Sequence, residues 1–109
     1  MLYRLTISLN DTMMRNIFLG FIRIHILHHA NEGEIFGVAI MDELRRHGYS
    51  ISAGTLYPIL HSLEAEGYLT RRNNVVNGKV RKYYRITEKG VNALEEAKPK
   101  IKELVAEVL

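Results

Sequence analysis

The stretch from Ile51 to Gly90 constrains the fold of this chain more than any other, because a one-faced helix runs directly into a pair of strands. Leu56, Ile59, Leu60 and Leu63 recur at i, i+3, i+4 and i+7, the spacing of a helix with one buried stripe. Ser52 suits the N-cap of that helix and Gly67 suits its end. Pro58 lacks a backbone donor and crowds the preceding turn, so the helix is expected either to have a kinked or loosened first turn or to start near Tyr57. Tyr68 to Val76 and Lys79 to Ile86 are rich in β-branched and aromatic residues. Only Asn77-Gly78 separates them, a strong signal for a two-residue hairpin turn.

Charge follows the same boundary. The formal net charge is +3, yet Arg71, Arg72, Lys79, Arg81, Lys82 and Arg85 fall in a segment that holds no Asp or Glu. A basic hairpin can be an ordinary solvated face; directly after a helix that presents a small, polar surface it points to phosphate contact. That surface consists of Gly54, Pro58, His61 and Ala65, flanked by Tyr57, Thr55 and Ser62.

Upstream, residues Leu5 to Leu9 alternate apolar and polar, as a short strand or an unstructured extension would. A helix is expected from about Thr12 to Ala30, capped by Asp11 or Thr12, with Met14, Ile17, Phe18, Phe21, Ile24 and Leu27 or His28 on one wide face. Its middle is apolar almost all round, so it needs cover on more than one side, which a partner subunit could supply. After Asn31-Glu32-Gly33, a second helix is expected from about Ile35 to His47, burying Phe36, Ile40, Met41 and Leu44. Arg45, Arg46 and His47 suit its negative pole, and Gly48 can adopt the left-handed conformation that ends it. The link to the next helix, Gly48 to Ile51, has helix-turn-helix length.

Downstream, Thr87 is a candidate N-cap for a last amphipathic helix carrying Val91, Leu94, Ala97, Ile101, Leu104 and Val108. Leu94, Ile101 and Val108 are spaced by heptads, as are Ala97 and Leu104, which makes a short seam suited to a second copy. Pro99 must bend that helix or restart it.

At 109 residues and 47% hydrophobic content the chain can close one core. The absence of cysteine excludes disulfides, thiolate metal sites and a cysteine nucleophile, and fits a reducing cytosol. The apolar run Ile17 to Leu27 is too short to span a bilayer and contains Arg23 and His25, and the N-terminus lacks the order of a signal peptide; a cytoplasmic protein is expected. No nucleophile elbow, useful carboxylate pair or phosphate-cradling glycine loop is present, so no catalytic residue and no enzymatic activity are expected. His25 and His29 stand one helical turn apart with Glu32 following, a spacing that suits two metal ligands on one face. A third ligand is not evident. The histidines are therefore read as surface or interface residues, and no metal or other cofactor is expected.

The specific parts of the chain are Ile51-Ser52 with Gly54-Thr55-Leu56-Tyr57-Pro58-Ile59-Leu60, then Leu63-Glu64 with Glu66-Gly67, then Gly78 with Arg81-Lys82-Tyr83-Tyr84-Arg85-Ile86-Thr87-Glu88-Lys89-Gly90. With these, the chain from about Asn16 to its end resembles the short form of the PadR family of winged-helix transcriptional regulators. The resemblance implies a mostly α, α+β fold: a winged helix-turn-helix with a two-stranded wing, and a C-terminal helix that forms the dimer. It also implies repression by a homodimer bound to an inverted repeat in double-stranded DNA. Residues 1–12 are then an N-terminal extension, 13–87 the DNA-binding domain and 88–109 the dimerisation helix. Phe36-Gly37-Val38-Ala39 replaces the family's usual Tyr-Gly-Tyr-Glu, and Lys79-Val80 its usual Arg-Pro in the wing. The chain has no Trp, so the aromatic plate of the family's drug-sensing branch is not expected.

The residues expected at DNA are Ser52, Gly54, Thr55, Tyr57, Pro58 and His61 in the major groove, with Lys79, Arg81 and Lys82 on phosphates or a narrow minor groove. Alternation along the strand places Lys79 and Arg81 on one side and Lys82 on the other. The residues expected at the dimer interface are Leu94, Ala97, Ile101, Leu104 and Val108. Two other readings are a winged-helix module that binds protein, and a sensor that takes an apolar small-molecule effector at the dimer interface.

Overall fold

The structure, a computed structural model, describes residues 12–109; the alternating stretch Leu5 to Leu9 lies outside them. Helix α1 spans Thr12–Glu32, strand β1 Ile35–Phe36, helix α2 Gly37–Arg46 and helix α3 Ala53–Ala65. Strands β2, Leu69–Val76, and β3, Lys79–Ile86, lead into helix α4, Glu88–Val108. These form an α+β fold in which four helices and an antiparallel sheet of order β1-β3-β2 enclose one core.

Local chemistry explains most element ends. At the end of α2, Gly48 has φ 90°, its N–H donates to the Arg45 carbonyl at 3.0 Å, and Tyr49 N–H donates to the Leu44 carbonyl at 2.9 Å. The end of α3 repeats this at Gly67, φ 86°, with Gly67 N–H donating to Glu64 and Tyr68 N–H to Leu63. Both are left-handed caps that satisfy carbonyls the helix leaves open. In the hairpin, Asn77 and Gly78 both have positive φ, 53° and 77°, as a two-residue turn between twisted strands requires.

Ser52 occupies the N-cap position of α3 in extended conformation, and its carbonyl accepts from Leu56 N–H at 2.9 Å. The helix therefore begins at Ala53 and not near Tyr57, and it runs unbroken through Pro58. The carbonyl left without a donor is that of exposed Gly54, where water can serve it. Likewise α4 passes Pro99 without restarting. The Thr87 hydroxyl accepts from Gly90 N–H at 3.1 Å and donates to the Gly67 carbonyl at 2.6 Å, so one side chain caps α4 and ties it to the end of α3.

Two expectations fail in the first half. Ile35 and Phe36 are not the start of α2 but a third strand, pairing with Tyr84 and Tyr83 of β3, so the wing belongs to a three-stranded sheet and is not a free two-stranded ribbon. Two residues are too few to show a period, and the open edge of β3 selects the strand. On α1 the buried residues are Ile22, Ile26, Leu27 and Ala30, whereas Met14 and Phe21 of the expected face are 38% and 42% exposed. A helix apolar on nearly all sides has no stripe to read. Packing against α4, β3 and α2 chooses the buried side.

Tyr84, Ile22, Ile26, Ile40, Leu44, Leu56 and Leu60 are the largest fully buried side chains. The expected α3 stripe of Leu56, Ile59, Leu60 and Leu63 lies in this core; in α2, Ile40 and Leu44 are buried and Met41 is only partly covered, as is Phe36 of β1. Among the described residues no helix is long and apolar enough to cross a membrane.

Candidate nucleic-acid interface

The hairpin stands beside α3 and the start of α2, and the three enclose a groove of roughly 630 Å³. Tyr57 and His61 line one wall and Lys79, Arg81 and Lys82 the other, so five of the nine expected contact residues meet there. Ser52, Gly54 and Pro58 are exposed on the α3 surface next to it, and Thr55 is partly covered. The Ser52 and Thr55 hydroxyls lie 3.3 Å apart. Phe36, Gly37 and Val38 complete the floor. Sequence reasoning missed them because their place depends on the strand β1.

Tyr57 is partly buried and its ring lies across Gly37, the first residue of α2. A Cβ on residue 37 would overlap the hydroxyl and stand 2.7 Å from Cζ. Tyr57 thus packs against the helix pair while it borders the groove.

Carboxylates from distant elements return to the base of the wing. Arg72 donates two hydrogen bonds to Glu34, at 2.7 and 2.8 Å, and Arg85 lies 3.8 Å from the same carboxylate. The hydrogen bond from Arg72, with the charges of Arg72 and Arg85, holds the Glu34 carboxyl below the usual glutamate range against a smaller effect of desolvation. Arg71 lies 3.3 Å from Glu64 of α3. Among the described residues, Lys79, Arg81 and Lys82 make no ion pair, whereas the three arginines nearer the base share two carboxylates, so uncompensated charge is greatest toward the hairpin tip. The acid-free segment read from sequence is therefore most basic toward its turn.

Register explains their directions. Arg81 pairs across from Asn74, on the face of Phe36 and Tyr83, and its guanidinium sits 4.7 Å from the Phe36 ring centre. Lys82 lies on the face of buried Tyr84 and is partly covered. The expected alternation holds, yet all three cations border the groove. Arg72 covers the Tyr83 ring at 4.6 Å, and Phe36 meets Tyr83 edge-on at 5.7 Å, which holds this side of the wing.

Of the expected seam on α4, Leu94 is only 3% exposed and belongs to the core of its own domain, with Ala97 half-buried. Beyond Pro99, Ile101, Leu104, Val105 and Val108 are 40%, 56%, 48% and 65% exposed. Elsewhere, His47 comes beside the histidines of α1, its ring stacked 4.5 Å from that of His25. Burial first, then the neighbouring His47, His29 and His28, lower the His25 pKa, which favours its neutral form.

Comparisons with known proteins agree in direction. The model of the transcriptional regulator PadR-like family matches residues 26–96. The chain is 48% identical over 96 residues to the transcriptional regulator Rv3488 of Mycobacterium tuberculosis (strain ATCC 25618 / H37Rv), covering 88% of this chain and 90% of that protein. Among solved structures it is similar to a PadR family transcriptional regulator from Eggerthella lenta DSM 2243, at 32% identity and TM-score 0.77, covering 90% of this chain and 87% of that one. It is also similar to a PadR-like transcriptional regulator from Bacillus cereus strain ATCC 14579, at 30% identity and TM-score 0.71, covering 88% and 91%.

Proposed function

The chain belongs to the PadR-like family of transcriptional regulators, and from that premise we propose that it binds duplex DNA through the groove between α3 and the wing. The observation that carries this reading is the charge distribution. Glu34 and Glu64 offset two of the three arginines at the base of the hairpin, while among the described residues Lys79, Arg81 and Lys82 make no ion pair toward its tip, opposite the small exposed face of α3. Cations so placed reach phosphates or a narrow minor groove while Gly54, Thr55, Pro58 and His61 let the helix approach base edges closely. None of these α3 side chains is an Arg, Asn or Gln suited to bidentate base contact, so DNA shape supplies much of the specificity.

Residues 13–87 then read DNA and residues 88–109 join two copies, with the exposed apolar residues of α4 beyond Pro99 as the seam. A homodimer places two reading heads on an inverted repeat, and bound at a promoter it acts as a repressor in the cytoplasm. The test is a titration of a labelled fragment from upstream of the gene, over a range of salt concentrations, against a random duplex. Affinity is expected to fall steeply with salt, since basic side chains release condensed counterions, and to be higher for the upstream fragment. No binding at low salt, or a response flat in salt, overturns the reading.

A further inference from the structure

Away from the groove, three imidazoles from two elements converge. His25 and His29 stand one turn apart on α1, and His47 is the C-cap of α2. Each offers a ring nitrogen within 4.8 Å of the other two. Solvated side chains at such a place would be expected to separate, yet here the rings gather.

His29 carries the second observation. Its Nε2 is buried and has no hydrogen-bond partner among the described residues, while Nδ1 lies 3.3 Å from the Glu32 carboxylate. A proton on Nδ1 directed at Glu32 leaves the Nε2 lone pair aimed inward, the arrangement by which a carboxylate orients a metal-binding imidazole. Glu43 Oε2 lies 3.8 Å from that nitrogen, and the other oxygen of Glu43 is held by Arg46. This gap is too long for a hydrogen bond. It is close to the spacing of about 3.4 Å between ligand atoms on a tetrahedral ion with bonds of about 2.0–2.1 Å.

We propose that His25, His29 and His47 form a site for one divalent cation of the zinc class, with Glu43, which lies beside His29, moving in as the fourth ligand and Glu32 orienting His29. Three imidazoles with a single carboxylate suit zinc, cobalt(II) or nickel, and do not suit calcium or magnesium, which require mostly oxygen ligands. With Glu43 as the fourth ligand the coordination shell would be closed, so the ion would clamp α1 to the end of α2 and not be catalytic. A second grouping, His28, His29 and Glu32, lies on α1 alone and uses the His29 nitrogen already facing Glu32.

The test uses the full chain without a histidine tag, stripped of metal with a chelator, titrated with zinc against a chromophoric competitor and with cobalt(II) by visible absorption. One zinc ion per chain at submicromolar affinity is expected, together with a tetrahedral cobalt spectrum and a Tm raised by zinc. His47→Ala and Glu43→Gln should each weaken zinc binding at least about tenfold and reduce the rise in Tm, while His28→Ala should match the wild type. Circular dichroism of the metal-free variants checks the fold, and Glu43→Gln decides if His47→Ala does not fold. Binding no tighter than millimolar overturns the site, as does an octahedral cobalt spectrum or a loss on His28→Ala that the other two variants do not share.

Discussion

The Tyr57 ring lies across the α-carbon of Gly37, so the third helix rests directly on the first residue of the second. This contact sets how closely the two helices of the helix-turn-helix approach. Gly37→Ala forces a methyl group into the ring and is expected to destabilise the fold by about 1–3 kcal/mol, as overpacking does. Urea denaturation of the variant checks it; an unchanged midpoint would show that Tyr57 swings away without cost.

Tyr84 is fully buried and its hydroxyl has no hydrogen-bond partner among the described residues, with burial pushing the phenol pKa up. Removing that hydroxyl removes an unsatisfied buried polar group while keeping the ring. Tyr84→Phe should leave stability unchanged or raise it by up to about 1 kcal/mol, read from the same denaturation curve. A clear loss of stability would reveal a partner for the hydroxyl.

The Glu34 carboxyl has a depressed pKa because Arg72 donates to it. A depressed carboxylate contributes stability above its unfolded pKa, roughly 4.3, and loses it as pH falls through the lower folded value. Wild type should therefore be more stable than Glu34→Gln near neutral pH, and the two should converge as acid protonates Glu34. Thermal midpoints of both proteins across that range are the measurement, and a constant difference down to the most acidic point would refute the linkage.

On α4, Ile101 and Leu104 are exposed in the single chain, whereas Leu94 is committed to its own core. Ile101→Asp with Leu104→Asp is expected to convert a dimer to a monomer in sedimentation without unfolding it, since neither residue belongs to the core. Aspartate at residue 94 would instead unfold the domain. A double variant that still sediments as a dimer places the interface elsewhere.

If wing and helix divide the work at DNA, their variants should fail differently. Arg81→Ala should weaken specific and random duplexes alike and lower the salt slope by roughly one unit. Thr55→Ala and Tyr57→Ala should reduce discrimination between the two, Tyr57 through the seating of α3 on Gly37. Competition assays with both duplexes distinguish these outcomes, and equal losses of specificity in all three variants would end the division of labour.

What the sequence determined by itself is what near neighbours decide. The apolar stripe of α3, the left-handed glycines at 48 and 67, the Asn77-Gly78 turn and the Thr87 cap all rest on contacts a few residues apart, and each is found where its residues placed it. Pro58 and Pro99 mark the limit of such local rules, since both helices run through them. Tertiary structure alone decided which side of the apolar α1 is buried and made Ile35–Phe36 a strand on β3. It also carried Glu34 to Arg72, 38 residues away, leaving the hairpin most cationic toward its tip, and brought His47 to His25 and His29. Charge and ligand fields act through space, and no period along the chain records which distant elements the fold will bring within a few ångströms.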